Sequence, residues 1–579
     1  MHRFCWLMLV VAFAAAGDCL AWNDRNLMSD TWTATDALGR TLPGFEECGP
    51  PREGKTVGIF YFIWLGQHTT SGPYDISKIT ADNPTDPQWG PVNHFHHWGE
   101  PELGYYVSTE DYVIRSHARM LANAGIDVVV FDVTNSFTYP NVYMRLCEIY
   151  TQMRMNGGRT PQIGFIAHSH EEKTVEKLYD DFYSKGLYRD LWFMWKGKPL
   201  IMANPDNMRQ DIKDSFTFRH SWAWSDPNGW FGDGKDKWPW VDHYPQSIGW
   251  HEKGFAEYVS VSAAQHPMTN IGRSFHDGKE PEPADRKPEQ GLFFAEQWKR
   301  ALEVDPEFIF ITGWNEWVAQ RFLADGVYNL MTGRKPEKGE TFFVDQYDQE
   351  YSRDIEPMKG GHTDNYYYQM IAGIRRFKGI RAPEKSSGPR TVRIDGRFAD
   401  WTLVKPEYLD WVGDTEHRDS QGWNDTLHYV NTTGRNDFVR LKVAYDKENV
   451  YFYAETKDPI TPPTDPKWML LYLDTDSDPK TGWHGYDFIV DRNVLHFAMA
   501  NRGPLSQGNG THGTDVTYST HGHKLEVSVS RAILGLLGKP VKLDFHWADN
   551  IQKLDDIIEF SISGDSAPDR RFNYHFEGR

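Results

Sequence analysis

The stretch EFIFITGWNEWVAQRF, residues 307–322, joins two unlike patterns. Its first half is an unbroken Phe/Ile run, the mark of a strand covered on both faces by helices. At Gly313 the run breaks into Trp314, Asn315, Glu316 and Trp317. A carboxylate between two tryptophans is out of place in a core. It is in place at the C-terminal end of a barrel strand, where such folds keep their working residues. Three positions further on stands Ala319, a side chain with no chemistry of its own.

Working outward, similar strand-like runs occupy 56–66, 126–135, 162–170, 198–206, 215–224 and 256–267. Between them lie stretches of helical period, such as 109–125, which ends at Gly125. This alternation predicts an α/β fold, a (β/α)8 TIM-type barrel over residues 22–380. No glycine-rich dinucleotide turn or phosphate loop follows the first strand, which argues against a doubly wound sheet. Residues 381–390, RAPEKSSGPR, read as a linker. Residues 391–579 change to short alternating strands with frequent turn signals, predicting an antiparallel β-sandwich.

The 579 residues carry a formal net charge of -19, which disfavours nucleic acid and anionic membrane surfaces as partners. Aromatics make up 15% of the chain; that excess suits both sugar-ring binding and large cores. Residues 1–21 read as a secretory signal peptide: Arg3, an apolar run over 4–16, then small residues up to Ala21. A secreted or periplasmic protein is expected. A surface lipoprotein anchored at Cys19 is the weaker reading, because Asp18 fits that signal poorly. No later segment is apolar enough for a transmembrane helix. Cys48 and Cys147 make either one bridge or two free thiols.

The residues that close the apolar runs are polar or aromatic. They are Tyr61, Phe62 and Trp64; Asp132 and Asn135; His168 and His170; His220, Trp222 and Trp224; Gln265 and His266; then Trp314 to Trp317. Indole and phenol planes stack on sugar rings, while amides, imidazoles and carboxylates bond hydroxyls, so the expected site is a carbohydrate cleft. The long connection 93–111 adds Trp98, Glu100 and Glu102 and has the make-up of a binding lid. Its His94, His96 and His97 lack convincing metal-ligand spacing. Glycosidic chemistry normally needs two carboxylates, and Glu316 is the first candidate. The plainer reading has Glu316 only accepting hydrogen bonds from an indole or amide. In the second domain, Asp474, Asp476 and Asp478 alternate like the start of a calcium loop, although no twelfth-position Glu follows. They mark either a structural Ca²⁺ site or a solvated acidic turn; no cofactor is required.

The ITGWNEW segment, the aromatic first strand around Tyr61 and FVDQYDQEYSRDIEP (343–357) together resemble glycoside hydrolase family 99 and its bacterial relatives, with family 71 more distant. The resemblance covers about residues 55–380 and implies a retaining, endo-acting α-mannosidase-like barrel. It implies that Glu316 assists the sugar's own 2-hydroxyl and that Asn315 helps hold the sugar. The family pattern continues to an acid/base Glu three residues on, where this chain has Ala319. The missing acid is then expected from Asp132 first, then Glu100, Glu102 or Glu252, or from His266. Otherwise the barrel binds glycans without cleaving them. The second domain resembles family 9 carbohydrate-binding modules through VRIDGRFADW (392–401), LDTDSDPKTGWHGYDF (473–488) and FHWADN (545–550). That resemblance makes Trp411, Trp423, Trp483 and Trp547 candidate sugar platforms. Two functions are expected on these grounds: a secreted hydrolase of α-linked glycans, or a non-catalytic glycan-binding protein.

Overall fold

The computed structural model describes residues 25–226, 229–265, 270–325, 337–499, 510–512 and 515–579. The expected leader and His266 lie outside the described residues. The apolar runs form seven parallel strands: β1 (Thr56–Tyr61), β2 (Val128–Asp132), β3 (Gln162–Ile166), β4 (Lys198–Met202), β5 (Thr217–Arg219), β6 (Tyr258–Ser262) and β7 (Phe308–Thr312). Their spatial order is β5-β4-β3-β2-β1-β7-β6. β7 thus pairs with the first strand on one side, Phe308 opposite Thr56, and with β6 on the other. Every residue of β2, β6 and β7 is buried; β2 and β7 are accordingly near-continuous apolar runs, while β6 alternates Val with the buried Ser260 and Ser262.

Helices cover the outer face. They include α1 (Asp111–Ala124), α2 (Pro140–Met155), α3 (Leu292–Val304) and α4 (Asn365–Lys378). The buried face of α1 includes Val113, Ile114, His117, Ala118 and Leu121, spaced at helical period. Gly125 ends α1 at φ 87°, a left-handed position that glycine takes without steric cost.

The eight-stranded closed barrel is not found; the parallel sheet curls without closing. The segment 236–241 occupies the gap between β5 and β6. It bonds on one side as a parallel strand would, Trp238 N–H to His220 O at 2.8 Å and Trp240 N–H to Trp222 O at 3.1 Å. Toward β6, the Tyr258 hydroxyl donates to Pro239 O at 2.7 Å. Proline has no N–H to give a ladder, so this edge is sealed by side chains.

The second half is antiparallel. One sheet holds five strands, including Phe438–Tyr445, Asn449–Thr456 and Lys524–Ser530; the other holds eight, including Leu470–Asp474, Lys542–Asp549 and Phe572–Glu577. Phe452 of the first meets Phe545 of the second, ring centroids 6.0 Å apart. The edge strand of the larger sheet is Thr33–Ala34, paired with Asn573 and Phe572, so the start of the first block completes the sandwich. The two halves also share buried ion pairs: Arg570 with Glu102 at 2.7 Å, Arg571 with Asp364 at 2.6 Å and Arg418 with Glu110 at 2.5 Å.

The connection 93–111 is therefore no free lid. Phe95–His97 pairs with Val318–Leu323, which pairs with Thr341–Phe343. Further along the same connection, Glu102 is tied to the sandwich through Arg570. Cys48 and Cys147 are free thiols. Among the described residues, no helix is long and apolar enough to cross a membrane.

Candidate active site

Because the strands are parallel, their C-terminal ends share one edge of the sheet. β7 delivers Glu316 there, 5% exposed. Its Oε2 accepts from Gln346 Nε2 at 2.6 Å and from Arg353 Nη2 at 2.8 Å. The same Gln346 amide donates to Asp354 Oδ2 at 2.9 Å, and Gln346 Oε1 accepts the Arg353 N–H at 3.1 Å. Gly313 permits the closeness: a Cβ there would lie 2.8 Å from Asp354 Oδ1. Burial pushes the Glu316 carboxyl well above the usual range; Arg353 opposes this, while Asp345, Asp354 and Asp132 add to it. Burial likewise lifts Asp354 to about 6. Three carboxylates, Glu316, Asp345 and Asp354, act on Arg353, and Arg273 also acts on Asp354.

Asp132 closes β2 as expected. Its Oδ2 accepts the Trp64 indole N–H at 2.9 Å, and its Oδ1 accepts the Thr134 amide at 3.0 Å and the Thr134 hydroxyl at 2.7 Å. Burial raises it, and Asp345 raises it further. Asp132 is among the groups whose charge raises Glu316. A line of rings links them: Trp240 to Phe60 at 5.6 Å, Phe60 to Phe62 at 4.8 Å, Phe62 to Trp64 at 6.3 Å. The Arg353 guanidinium lies 5.2 Å from the Trp240 ring centre. Further round, His168 stacks on half-buried Trp222 with centroids 3.3 Å apart, and burial lowers His168 so that it is neutral at pH 7. Asn135 is exposed just beyond Asp132.

Other expected residues are placed elsewhere. Strand alternation turns Tyr61 to the helix side, where its hydroxyl meets His117 Nδ1 at 2.9 Å. Asn315 is spent on the backbone of Phe62, accepting from its N–H at 2.8 Å and donating to its carbonyl at 3.1 Å, so it is not free to hold a sugar. Trp317 donates to Glu356 Oε2 at 2.5 Å, and Trp314 packs edge-on to His117. Trp98 stacks on Trp317 with centroids 4.3 Å apart and donates to Glu316 O at 3.0 Å. These three indoles are buried supports rather than platforms. Gln265 is consumed by Trp224, His243 and the Asp242 carbonyl. His220 takes a hydrogen bond from Lys237 at 2.6 Å and is pushed down to about 4 by burial and that lysine.

Glu100 is held by Lys78 at 2.5 Å and Lys359 at 2.6 Å; the two lysines outweigh burial and depress it, the wrong direction for a proton donor at neutral pH. Glu102 is paired with Arg570, and Glu252 is exposed in the turn before β6. Ala319 lies with Ile76 and Phe343 in an apolar cluster, so the position of the family's acid is filled by packing. Sequence reasoning did not single out Asp345, Gln346, Arg353, Asp354 and Trp240, which the structure gathers around Glu316 and its arginine. The first four stand in the 343–357 segment that carried the resemblance, and their even spread of charge gave no separate signal.

In the sandwich, Trp411 bonds Asn123 at 3.1 Å and Trp423 bonds Ser71 O at 3.0 Å, both across the junction of the two halves. Trp483 and Trp547 are core residues. None of the four offers an open face to a sugar. The acidic turn gathers Asp474, Asp476 and Asp487, with carboxylate oxygens within 4.8 Å of one another; Asp478 instead takes the Lys480 amide of its own turn at 3.0 Å. The three are hard oxygen donors of the kind that suits Ca²⁺.

No protein-family model matches the chain, and no curated protein matches it. Among solved structures, the GH99 endo-α-mannosidase of Bacteroides thetaiotaomicron is 16% identical over 56% of this chain and 98% of its own, with a TM-score of 0.33. Its complex with bis-tris propane gives 15% identity, 56% and 97% coverage and a TM-score of 0.31. A family 9 carbohydrate-binding module of Caldicellulosiruptor kristjanssonii, in complex with cellotriose, is 14% identical over 24% of this chain and 63% of its own, with a TM-score of 0.13. At such distances the function has to be argued from the residues themselves.

Proposed function

We propose that this chain is a secreted glycoside hydrolase acting on an α-linked glycan, with Glu316 as its central carboxylate and Asp132 as its acid. The observation that carries this reading is the pair itself. Two buried carboxyls, both raised, stand on one aromatic-walled edge of the parallel sheet, each fixed by its own donors. A raised carboxyl keeps its proton to higher pH and is a stronger base once ionised, which suits proton exchange near neutrality. In the reaction, Asp132 protonates the leaving glycosidic oxygen as its bond to the anomeric carbon breaks. Water then supplies the hydroxyl to that carbon and returns the proton. Glu316 takes the proton of a sugar hydroxyl or stabilises positive charge at the ring. The His168–Trp222 stack supplies an apolar plane for the sugar.

The test is reducing-sugar release from a panel of α-linked polysaccharides by wild type, Glu316→Gln, Asp132→Asn and Asp345→Asn. Loss of at least about 100-fold in the first two supports the pair. Full activity in Glu316→Gln would remove the role given to it, and loss in Asp345→Asn alone would move the acid to Asp345. A second reading, glycan binding without turnover, is favoured by one observation: the apolar packing of Ala319. It predicts binding on a glycan array with no release from any glycan bound.

A further inference from the structure

Away from the cleft, the sandwich buries a group of acids that the proposed reaction does not use. Asp410 follows the strand Glu407–Leu409, Asp414 stands in the next loop, and Asp565 opens the strand Asp565–Ala567. One oxygen from each lies within 4.8 Å of the others. Asp437, just before the strand Phe438–Tyr445, and Asp569 add their charge to the same group. Asp410 is 0% exposed, and neither of its carboxylate oxygens has a well-formed hydrogen bond; only the adjacent Trp411 amide leans toward it. Asp414 Oδ1 and Asp437 Oδ1 are likewise buried without a partner. Elsewhere the acids are well anchored: Asp565 accepts the Phe438 N–H at 2.7 Å, Asp437 the Gly413 N–H at 2.7 Å, and Asp569 the Asn123 amide at 3.0 Å.

The charges facing the group do not balance it. Arg25 reaches it from the N-terminal segment, but one guanidinium nitrogen is bonded to Val439 O. Arg119 on α1 is shared with Glu416. Lys457 lies 3.7 Å from Asp437. Arg570 is committed to Glu102. Ionised carboxylates are acceptors only, so converging unpartnered oxygens in a buried place call for a positive group between them.

We propose that Asp410, Asp414 and Asp565, supported by Asp437, bind a divalent cation of the calcium class that staples the sandwich beneath its junction with α1. The donors are all hard oxygens, with no His or Cys among them, which selects against zinc and copper. The site is buried and its donors come from three separate segments, the 410–414 loop, Asp437 and Asp565. That irregular, water-poor cage fits calcium, whereas magnesium demands octahedral geometry and keeps several waters. The location gives the ion a purpose. Trp411, next to Asp410, bonds Asn123 of α1, and Asn123 also bonds Asp569, so an ordered 410–414 loop fixes how the sandwich meets the α/β half.

The experiment uses the full chain, dialysed against chelator and then titrated with calcium. The readouts are bound metal by elemental analysis, thermal unfolding, and terbium luminescence sensitised by excitation of tryptophan, Trp411 being the neighbouring donor. Saturating calcium should raise the unfolding midpoint of wild type by roughly 5 °C. The rise and the terbium signal should persist in Asp476→Ala, which disables the other acidic turn, and vanish in Asp410→Asn. Asp414→Asn, at a half-buried position, should weaken apparent calcium affinity at least about tenfold and serves if Asp410→Asn does not fold. Calcium effects lost in Asp476→Ala but kept in both other variants would overturn the proposal. So would a wild type with no bound calcium whose stability rises toward acid pH, because protons would then neutralise the group.

Discussion

Arg353 bonds Glu316 and lies 4.0 Å from Asp345, and it and Arg273 both act on Asp354. The protonation of that set has a measurable sign. Asp354 titrates at about 6 when folded, against 3.8 for a free Asp, so the folded chain binds the extra proton between those values. Its stabilising contribution is complete below the unfolded value and is lost as pH rises through about 6. Asp354→Asn mimics the protonated form. The stability of that variant relative to wild type should therefore increase as pH is raised from about 4 to about 7, read by urea unfolding at each pH. A difference that stays flat or runs the other way would show that Asp354 ionises freely. Ala319 permits a second prediction at this scale. Restoring a glutamate there places a carboxyl against Ile76 and Phe343, so Ala319→Glu should cost about 3 kcal/mol of stability and confer no activity. A gain in turnover with unchanged stability would show that the position opens to the cleft.

At the scale of elements, β7 and the segment after it hang from one buried acid. Glu356 takes the Tyr106 hydroxyl at 2.6 Å and the Trp317 indole at 2.5 Å on one oxygen, and His117 Nε2 at 3.0 Å on the other. Glu356→Gln would set an amide N–H against one of these donors. It should lower stability by about 1–3 kcal/mol and shift tryptophan fluorescence through Trp317, checked by denaturant titration. Elements were also where the sequence spoke most plainly. The Phe/Ile run of β7 and the Val run of β2 are fully buried, so their hydrophobicity alone defined them. The facing of single residues was less legible. Tyr61 lies beside Phe60 and Phe62 in sequence yet points the opposite way, and only pairing reveals which face is inward. Asn315 looked like a sugar ligand because nothing in a sequence shows that Phe62, about 250 residues away, would claim its amide. Glu316 and Asp132 stood out as candidates because each closes a buried run. Arg353 and Asp345 were not, because they come from a connection without periodicity.

For the whole molecule, the junction between the halves absorbs residues that read as ligands. Trp411, Trp423 and Glu102 face the partner half and not a sugar. The Arg570–Glu102 pair is bidentate and buried on both sides. Arg570→Ala would strand Glu102 without a counter-charge and should cost about 3–5 kcal/mol, while Arg570→Ala with Glu102→Ala should recover much of that. Chemical denaturation of the two variants checks this; equal losses would mean that the pair carries no coupling.

The strand Thr33–Ala34 finds its neighbour only at Phe572 and Asn573. During synthesis the early segment emerges long before that neighbour exists. Thr33 then has neither its strand partner nor Asp544, whose carboxylate accepts its hydroxyl at 2.8 Å. The strand pairing of Thr33 and Ala34 is thus a late event, while Ser29, Asp30 and Trp32 already find partners in Arg375 and Arg381. A chain cut short before residue 572 lacks the strand that receives this edge.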